Sequence, residues 1–170
     1  MMREVAVLIL LVDGYNVIHR VPELEKSLDG GLQNSRNRLA LQVSNWSRAH
    51  PGVDCVIVFD GEYQGSGSRE ERIAGIRCIF SMRAHGGDAE LIRFVRDHKG
   101  RKSDITVVSD DNNVGNNCRA HGAVVRPSSF IMEDKAPRPH RAGQAAAEAK
   151  GLDRKAAAAI DDELKKKFGI

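Results

Sequence analysis

An α/β fold around a mostly parallel central sheet is predicted by three features of the sequence. Short apolar segments rich in β-branched residues alternate with helical patterns. Those segments are continuously apolar, as strands covered on both faces are. Three of them also end alike: Val12 is followed by Asp13, Phe59 by Asp60, and Val108-Ser109 by Asp110-Asp111.

Taken in order, Val5–Val12 is the first buried strand. A polar stretch through Pro22 and Asp29-Gly30-Gly31 reads as loop. Leu39, Val43 and Trp46 recur at helical spacing between Gln33 and Ala49, and Pro51-Gly52 ends that helix. Cys55–Phe59 is the second strand, closed by Asp60-Gly61. Gly65–Ser68 with Arg69-Glu70-Glu71-Arg72 reads as an exposed flexible turn, and Ile73–Phe80 as a third, shorter strand. After the His85-Gly86-Gly87 loop, Asp88 stands where a helix cap belongs, and the helix runs from Ala89 to about His98. Lys99–Lys102 is a basic loop. Ile105–Val108 is the fourth strand, Val114–His121 a short helix, and Ala123–Arg126 the fifth strand. Such alternation implies right-handed crossovers.

Beyond Pro127 the character changes. The expected organisation is one domain over residues 1–133, a Pro-containing basic linker over 134–143, and a charged helix over 144–170. In that helix Ala157, Ile160, Leu164 and Phe168 form a narrow apolar stripe. The stripe could pack on the domain, on a second copy in a homodimer, or on a ribosomal or protein partner.

Composition limits the function classes. Aromatics are 5% of the residues, which disfavours a stacking platform for single-stranded nucleic acid. The net charge of +3 permits a phosphate-rich partner without demanding one. The three cysteines, Cys55, Cys78 and Cys118, form no Cys-x-x-Cys pair, so a zinc site and a disulfide-linked partner are not expected. The first apolar segment is too short to span a bilayer and lacks a cleavage site, so no membrane association and a cytoplasmic location are expected.

In an open parallel sheet the carboxyl ends of the strands form the ligand crevice. Asp13, Asp60 and Asp110 would meet there, and Asp88 could enter from the same rim. Crowded carboxylates raise one another's pKa and repel, and a hard divalent cation resolves the conflict. Oxygen donors suit Mg²⁺ or Mn²⁺. A carboxylate-held ion activates water and neutralises charge on a phosphodiester, so the pattern predicts metal-assisted phosphoryl chemistry. The bland alternative is that each Asp is a turn or a cap, Asp88 and Asp111 above all. A receiver-like or haloacid-dehalogenase-like phosphotransfer protein fits poorly, because Asp13-Gly14-Tyr15 supplies neither paired acids nor Asp-x-Asp.

The string Leu11-Val12-Asp13-Gly14-Tyr15-Asn16-Val17-Ile18 resembles the opening motif of NYN-domain proteins of the PIN-like nuclease group. Val58-Phe59-Asp60-Gly61, Gly87-Asp88-Ala89-Glu90-Leu91-Ile92 and Val107-Val108-Ser109-Asp110 resemble the motifs that follow, in the same order. Ser128-Ser129-Phe130 after the last strand is similar to the bacterial YacP-like subgroup. This resemblance implies a three-layer α/β/α PIN-like (NYN) fold with a C-terminal helical extension. It also implies Mg²⁺- or Mn²⁺-dependent endoribonuclease activity on RNA connected with translation, such as ribosome-associated mRNA. It transfers metal-site and catalytic roles to Asp13, Asp60, Asp88 and Asp110, with Asp111 as a further carboxylate. Asn16 would orient Asp13 or a metal-bound water. Many relatives carry two adjacent acids where this chain has Asp88-Ala89. That departure keeps an alternative open: a catalytically impaired RNA- or ribosome-binding module. Arg69, Arg72, Arg83 and His85 are the candidates for gripping RNA, with solvated surface charge as the alternative for each.

Overall fold

The computed structural model describes residues 7–63, 69–82 and 86–133, with backbone alone at 60–63, 82 and 86–89. The chain runs through β1 (Leu8–Asp13), α1 (Gly14–Arg20), α2 (Pro22–Lys26), a 3-10 turn (Ser27–Gly30) and α3 (Leu32–Ala49). Next come β2 (Val53–Tyr63), β3 (Arg69–Ile73), β4 (Ile76–Met82) and α4 (Gly86–Asp97). A 3-10 turn (Lys102–Asp104), β5 (Ile105–Val108), α5 (Asn112–Ala120), β6 (Val124–Arg126) and a last 3-10 turn (Ser128–Met132) complete the described chain.

The described strands form one six-stranded sheet in the order β3-β4-β2-β1-β5-β6. Every neighbouring pair is parallel except β3 with β4. The side-chain period of two sends alternate residues of one strand to opposite faces. Leu10 and Val12 of β1 join Ile57 and Phe59 of β2 in a core that contains Val17 and Ile18 of α1 and Leu39, Val43 and Trp46 of α3. Ile9 and Leu11 join Val56 and Val58 in a second core with Leu91 and Val95 of α4 and Val114 and Cys118 of α5. Two cores, one on each face, explain why Leu8–Val12 and Cys55–Phe59 are apolar without interruption. The architecture is the three-layer α/β/α arrangement that the sequence predicts.

Phe130 and Ile131 of the last 3-10 turn are buried in the first core. Phe130 lies 5.9 Å from Trp46, whose indole stacks on His50 at 4.0 Å. Gln42 of α3 donates to the Ile131 carbonyl at 3.1 Å, tying the turn to the helix layer.

Four expectations are corrected. Ile73–Phe80 is not one strand. The chain reverses at Ala74 and Gly75, both at positive φ (52° and 79°), and this turn makes a hairpin of β3 and β4. Arg69–Arg72 are therefore not a flexible turn but most of β3, an edge strand. Its exposed charges, with Arg77 of β4 bonded to Glu70 at 2.6 and 3.1 Å, discourage pairing with another sheet. Residues 14–31 are not loop, because α1 and α2 bury Val17, Ile18 and Leu24, with Pro22 at the first turn of α2. Finally, α4 begins at Gly86, so Asp88 sits inside its first turn rather than at its cap. The expected linker at 134–143 and helix at 144–170 lie outside the described residues.

All three cysteines are free and buried. Burial pushes each thiol up from its ordinary 9.0 to about 11. Below pH 9 the thiols are protonated in both folded and unfolded chains. Between pH 9 and 11 the unfolded chain releases thiol protons that the folded chain retains, so stability falls as pH rises through that window. Thiol titration with Ellman's reagent at pH 8 should find the native protein nearly inert and the guanidinium-unfolded protein fully reactive. Urea unfolding should show lower stability at pH 10.5 than at pH 8.

Candidate active site

Numbered among themselves, the parallel strands run 3-2-1-4-5, with the direction of winding reversing between β1 and β5. The helix leaving β1 packs on one face, and the helix leaving β5 packs on the other. The chain therefore diverges at the carboxyl ends of these two strands and opens a crevice there. Val12 and Val108 are paired in register, so Asp13 and Ser109 emerge side by side.

Asp13 is only 8% exposed. Its Oδ2 accepts a hydrogen bond from the Ser109 hydroxyl at 2.8 Å. The same hydroxyl oxygen accepts the Asp111 N–H at 3.1 Å, and the Ser109 N–H donates to the Arg126 carbonyl at 3.0 Å. Ser109 thus fixes the acid of one strand to the loop after another and to β6. Asn16, one turn into α1, accepts the Asp110 N–H through Oδ1 at 2.9 Å. The Asp110 carboxylate in turn accepts the Ser128 N–H at 3.3 and 3.4 Å. Burial of Phe130 holds the turn that presents this N–H.

Gly14 allows the start of α1 to lie close against β2. A Cβ at Gly14 would stand 2.5 Å from Phe59 Cδ1 and 2.9 Å from the Val58 carbonyl oxygen. The carbonyl is backbone and cannot yield as a flexible side chain would.

A cationic rim borders the crevice on the α1–α3 side. Tyr15 packs against Phe59 at 5.1 Å, and Phe59 stacks on Phe80 at 5.3 Å. Arg36 of α3 donates to the Tyr15 hydroxyl at 3.0 Å and lies 5.5 Å from the centre of the Phe80 ring. Arg69 lies 4.9 Å from the same ring. Arg36 also donates to Gln33 Oε1 at 3.0 Å, and Arg69 lies 3.5 Å from the Glu71 carboxylate.

The structure brings Asp13, Asn16 and Asp110 together. The Oδ1 of Asn16 is taken by the Asp110 backbone. Asp111 is the N-cap of α5: its Oδ1 accepts the N–H groups of Asn113 and Val114 at 2.8 and 3.1 Å.

The backbone of Asp60 lies within β2, which runs on to Tyr63. Asp13 pairs with Val58, so Asp60 stands about 7 Å further along the neighbouring strand. The side chains of Asp60 and Asp88, and all of Arg83 and His85, lie outside the described residues. Among the described residues no group of three or more His, Cys, Asp or Glu is arranged to hold a metal ion. Arg69 sits at the rim, whereas Arg72 lies about 10 Å along β3 toward the opposite end, donating to the Gly75 carbonyl at 3.0 Å.

Sequence reasoning missed Ser109, Ser128 and Arg36 as parts of the site. A hydroxyl directly after a buried strand and before two acids is a usable signal for Ser109. Ser128 contributes a backbone N–H, which no residue type advertises.

The side chains that meet here offer carboxylate, amide and hydroxyl oxygens, and the thiols are buried in the cores. That donor set fits a hard divalent cation such as Mg²⁺ or Mn²⁺ and not a thiophilic one.

The family described as the YacP-like NYN domain matches residues 10–169. The solved structure of Rae1 (YacP) from Bacillus subtilis is similar, with a TM-score of 0.58 at 20% identity, over 95% of this chain and 92% of that one. A point mutant of that protein gives a TM-score of 0.61 at 19% identity, over 94% and 91%. At such identities the likeness is one of fold. No curated protein matches the chain.

Two outcomes follow from the geometry. Ser109→Ala leaves a buried carboxylate without its donor and an N–H without its acceptor. It should cost about 1–3 kcal/mol in urea unfolding, and Ser109→Thr, which keeps the hydroxyl, should restore most of it. Gly14→Ala should lower stability by about 1–3 kcal/mol through overpacking against Phe59 and Val58, measured the same way.

Proposed function

Because the chain belongs to the YacP-like NYN domain family, a ribonuclease-type domain, we propose that it is a metal-dependent endoribonuclease working at the carboxyl ends of β1 and β5. The observation that carries this reading is the joining of Asp13 and Asp110, remote in sequence, through Ser109 and Asn16 at the switch point of the sheet. Asp13 is buried and Asp110 half-buried, and a charge taken out of water at such a point is a cost that a bound cation would offset.

Asp13 and Asp110 are the residues that would hold Mg²⁺ or Mn²⁺, with Asp60 and Asp88 as the further carboxylates the sequence supplies. A divalent ion held there supplies an acidified water and neutralises charge on the phosphodiester. Ser109 keeps the Asp13 carboxylate in one rotamer. Asn16 and Ser128 fix the loop and carboxylate of Asp110, so these oxygens need no reorganisation when substrate arrives. Arg36 and Arg69, on the rim, would hold backbone phosphates of the RNA. Hydrolysis in this reading leaves a 5′-phosphate and a 3′-hydroxyl. The family resemblance points to translation-associated mRNA as the substrate, and so to the cytoplasm. No helix among the described residues is long and apolar enough to cross a membrane.

A second reading, an impaired RNA- or ribosome-binding module, is favoured by Ala89 standing where many relatives carry an acid. Cleavage separates the two. Asp13→Asn keeps an acceptor for Ser109 and should fold as the parent does. In Mn²⁺, the parent should cut RNA in single turnover and the variant should fall to background. A variant as fast as the parent removes Asp13 from the reaction. A parent that binds RNA and never cuts it supports the second reading.

A further inference from the structure

A second concavity, of about 510 Å³, opens beside Asp110 between the α1–α2 junction and the last 3-10 turn. Its size is that of a pocket for a small ligand, within the usual range of about 300–1,000 Å³. Both walls are anchored. Leu24, on the α2 side, is buried, and so are Phe130 and Ile131 on the other. The cleft is therefore formed before anything enters it.

The lining is mixed in a particular way. Pro22 and Met132 supply apolar surface to the lining, and Met132 is 42% exposed, so it is open to contact. A flat ring packs well on a pyrrolidine and on a polarizable thioether. Arg20 and Glu23 supply a donor and an acceptor for edge contacts. Ser128, also in the lining, is 2% exposed, and its hydroxyl has no hydrogen-bond partner. An unpaired buried hydroxyl is costly and calls for a ligand group or water to satisfy it. With Asp110 given over to the metal ion, Arg20 and Glu23 offset one another, so the cleft has no net positive charge to attract a phosphate. A neutral, flat group with hydrogen-bonding edges is what remains.

We propose that this cleft takes the base of the nucleotide adjoining the scissile phosphate, with Glu23 favouring bases that carry an amino group over uracil. The proposal rests on the ribonuclease reading, because Asp110 belongs both to the hydrolytic site and to the cleft wall. An occupant touching that wall is next to the bond being cut. A carboxylate accepts from the amino groups of cytosine, adenine and guanine, whereas uracil has no amino group and offers only its N3–H between two carbonyl oxygens that the carboxylate repels.

The test uses the full chain and short RNAs of one sequence, either intact or abasic at one position around the cut. In single-turnover cleavage with Mn²⁺, one adjoining abasic position should slow the parent about tenfold. Met132→Trp, which fills the cleft from an exposed site, should slow the intact RNA to the abasic rate and leave the abasic rate unchanged. Glu23→Gln should shrink the advantage of cytosine over uracil at that position. Equal slowing of intact and abasic RNA by Met132→Trp, or no effect of any abasic position, overturns the proposal. The same pairs are measured by fluorescence anisotropy without metal. Base-dependent binding that Met132→Trp abolishes, with no cleavage by the parent, supports the cleft and removes the hydrolytic reading. Cleavage with no base dependence in either assay removes the cleft and keeps the nuclease. RNA that neither binds nor is cut overturns both.

Discussion

The Ser109 hydroxyl, held between the Asp13 carboxylate and the Asp111 N–H, is the contact on which the rest of this site depends. It crosses from the end of one central strand to the loop after its neighbour. A hydroxyl has one proton to give and lone pairs to accept with, so one side chain satisfies a buried charge and starts a helix. Asp111 can then turn its carboxylate to the first N–H groups of α5. Everything nearby inherits this register: Asp110 lies between two fixed residues and faces the crevice with Asn16 and Ser128 on either side.

The fold supplies the crevice and the local chemistry fills it. Reversal of winding between β1 and β5 leaves a gap that no crossover helix covers. The chain that returns after β6 partly closes that gap. Burial of Phe130 pins the return, and Ser128 reaches Asp110 as a consequence. Core packing and site geometry are therefore coupled through one short turn, which also forms a wall of the second concavity.

Much of this was legible in the sequence. The stretches Leu8–Val12 of β1 and Cys55–Phe59 of β2 are apolar throughout because both faces are covered, and α3 keeps its helical period. Asp13 and Asp110 stood out as acids at strand ends. The remainder depended on what lies across from each segment. The string Arg69-Glu70-Glu71-Arg72 has no apolar alternation, since β3 is an exposed edge held by pairing with β4. The helices α1 and α2 are too short to show a period and are stabilised by burying Val17, Ile18 and Leu24. Ser109 looked like one letter of a motif, and only the adjacency of β1 and β5 makes it a bridge. Arg36 joins the rim from a helix whose position no local pattern encodes.

Trp46 gives the fold a further property. It is the chain's single tryptophan, buried against His50 on one side and Phe130 on the other. The turn carrying Phe130 also carries Ser128 and Met132. Indole emission is sensitive to the packing of its immediate neighbours, so any shift of that turn on ligand entry is transmitted to one native fluorophore. The molecule thus carries its own optical gauge of wall movement, with no dye attached and no second indole to confuse the signal.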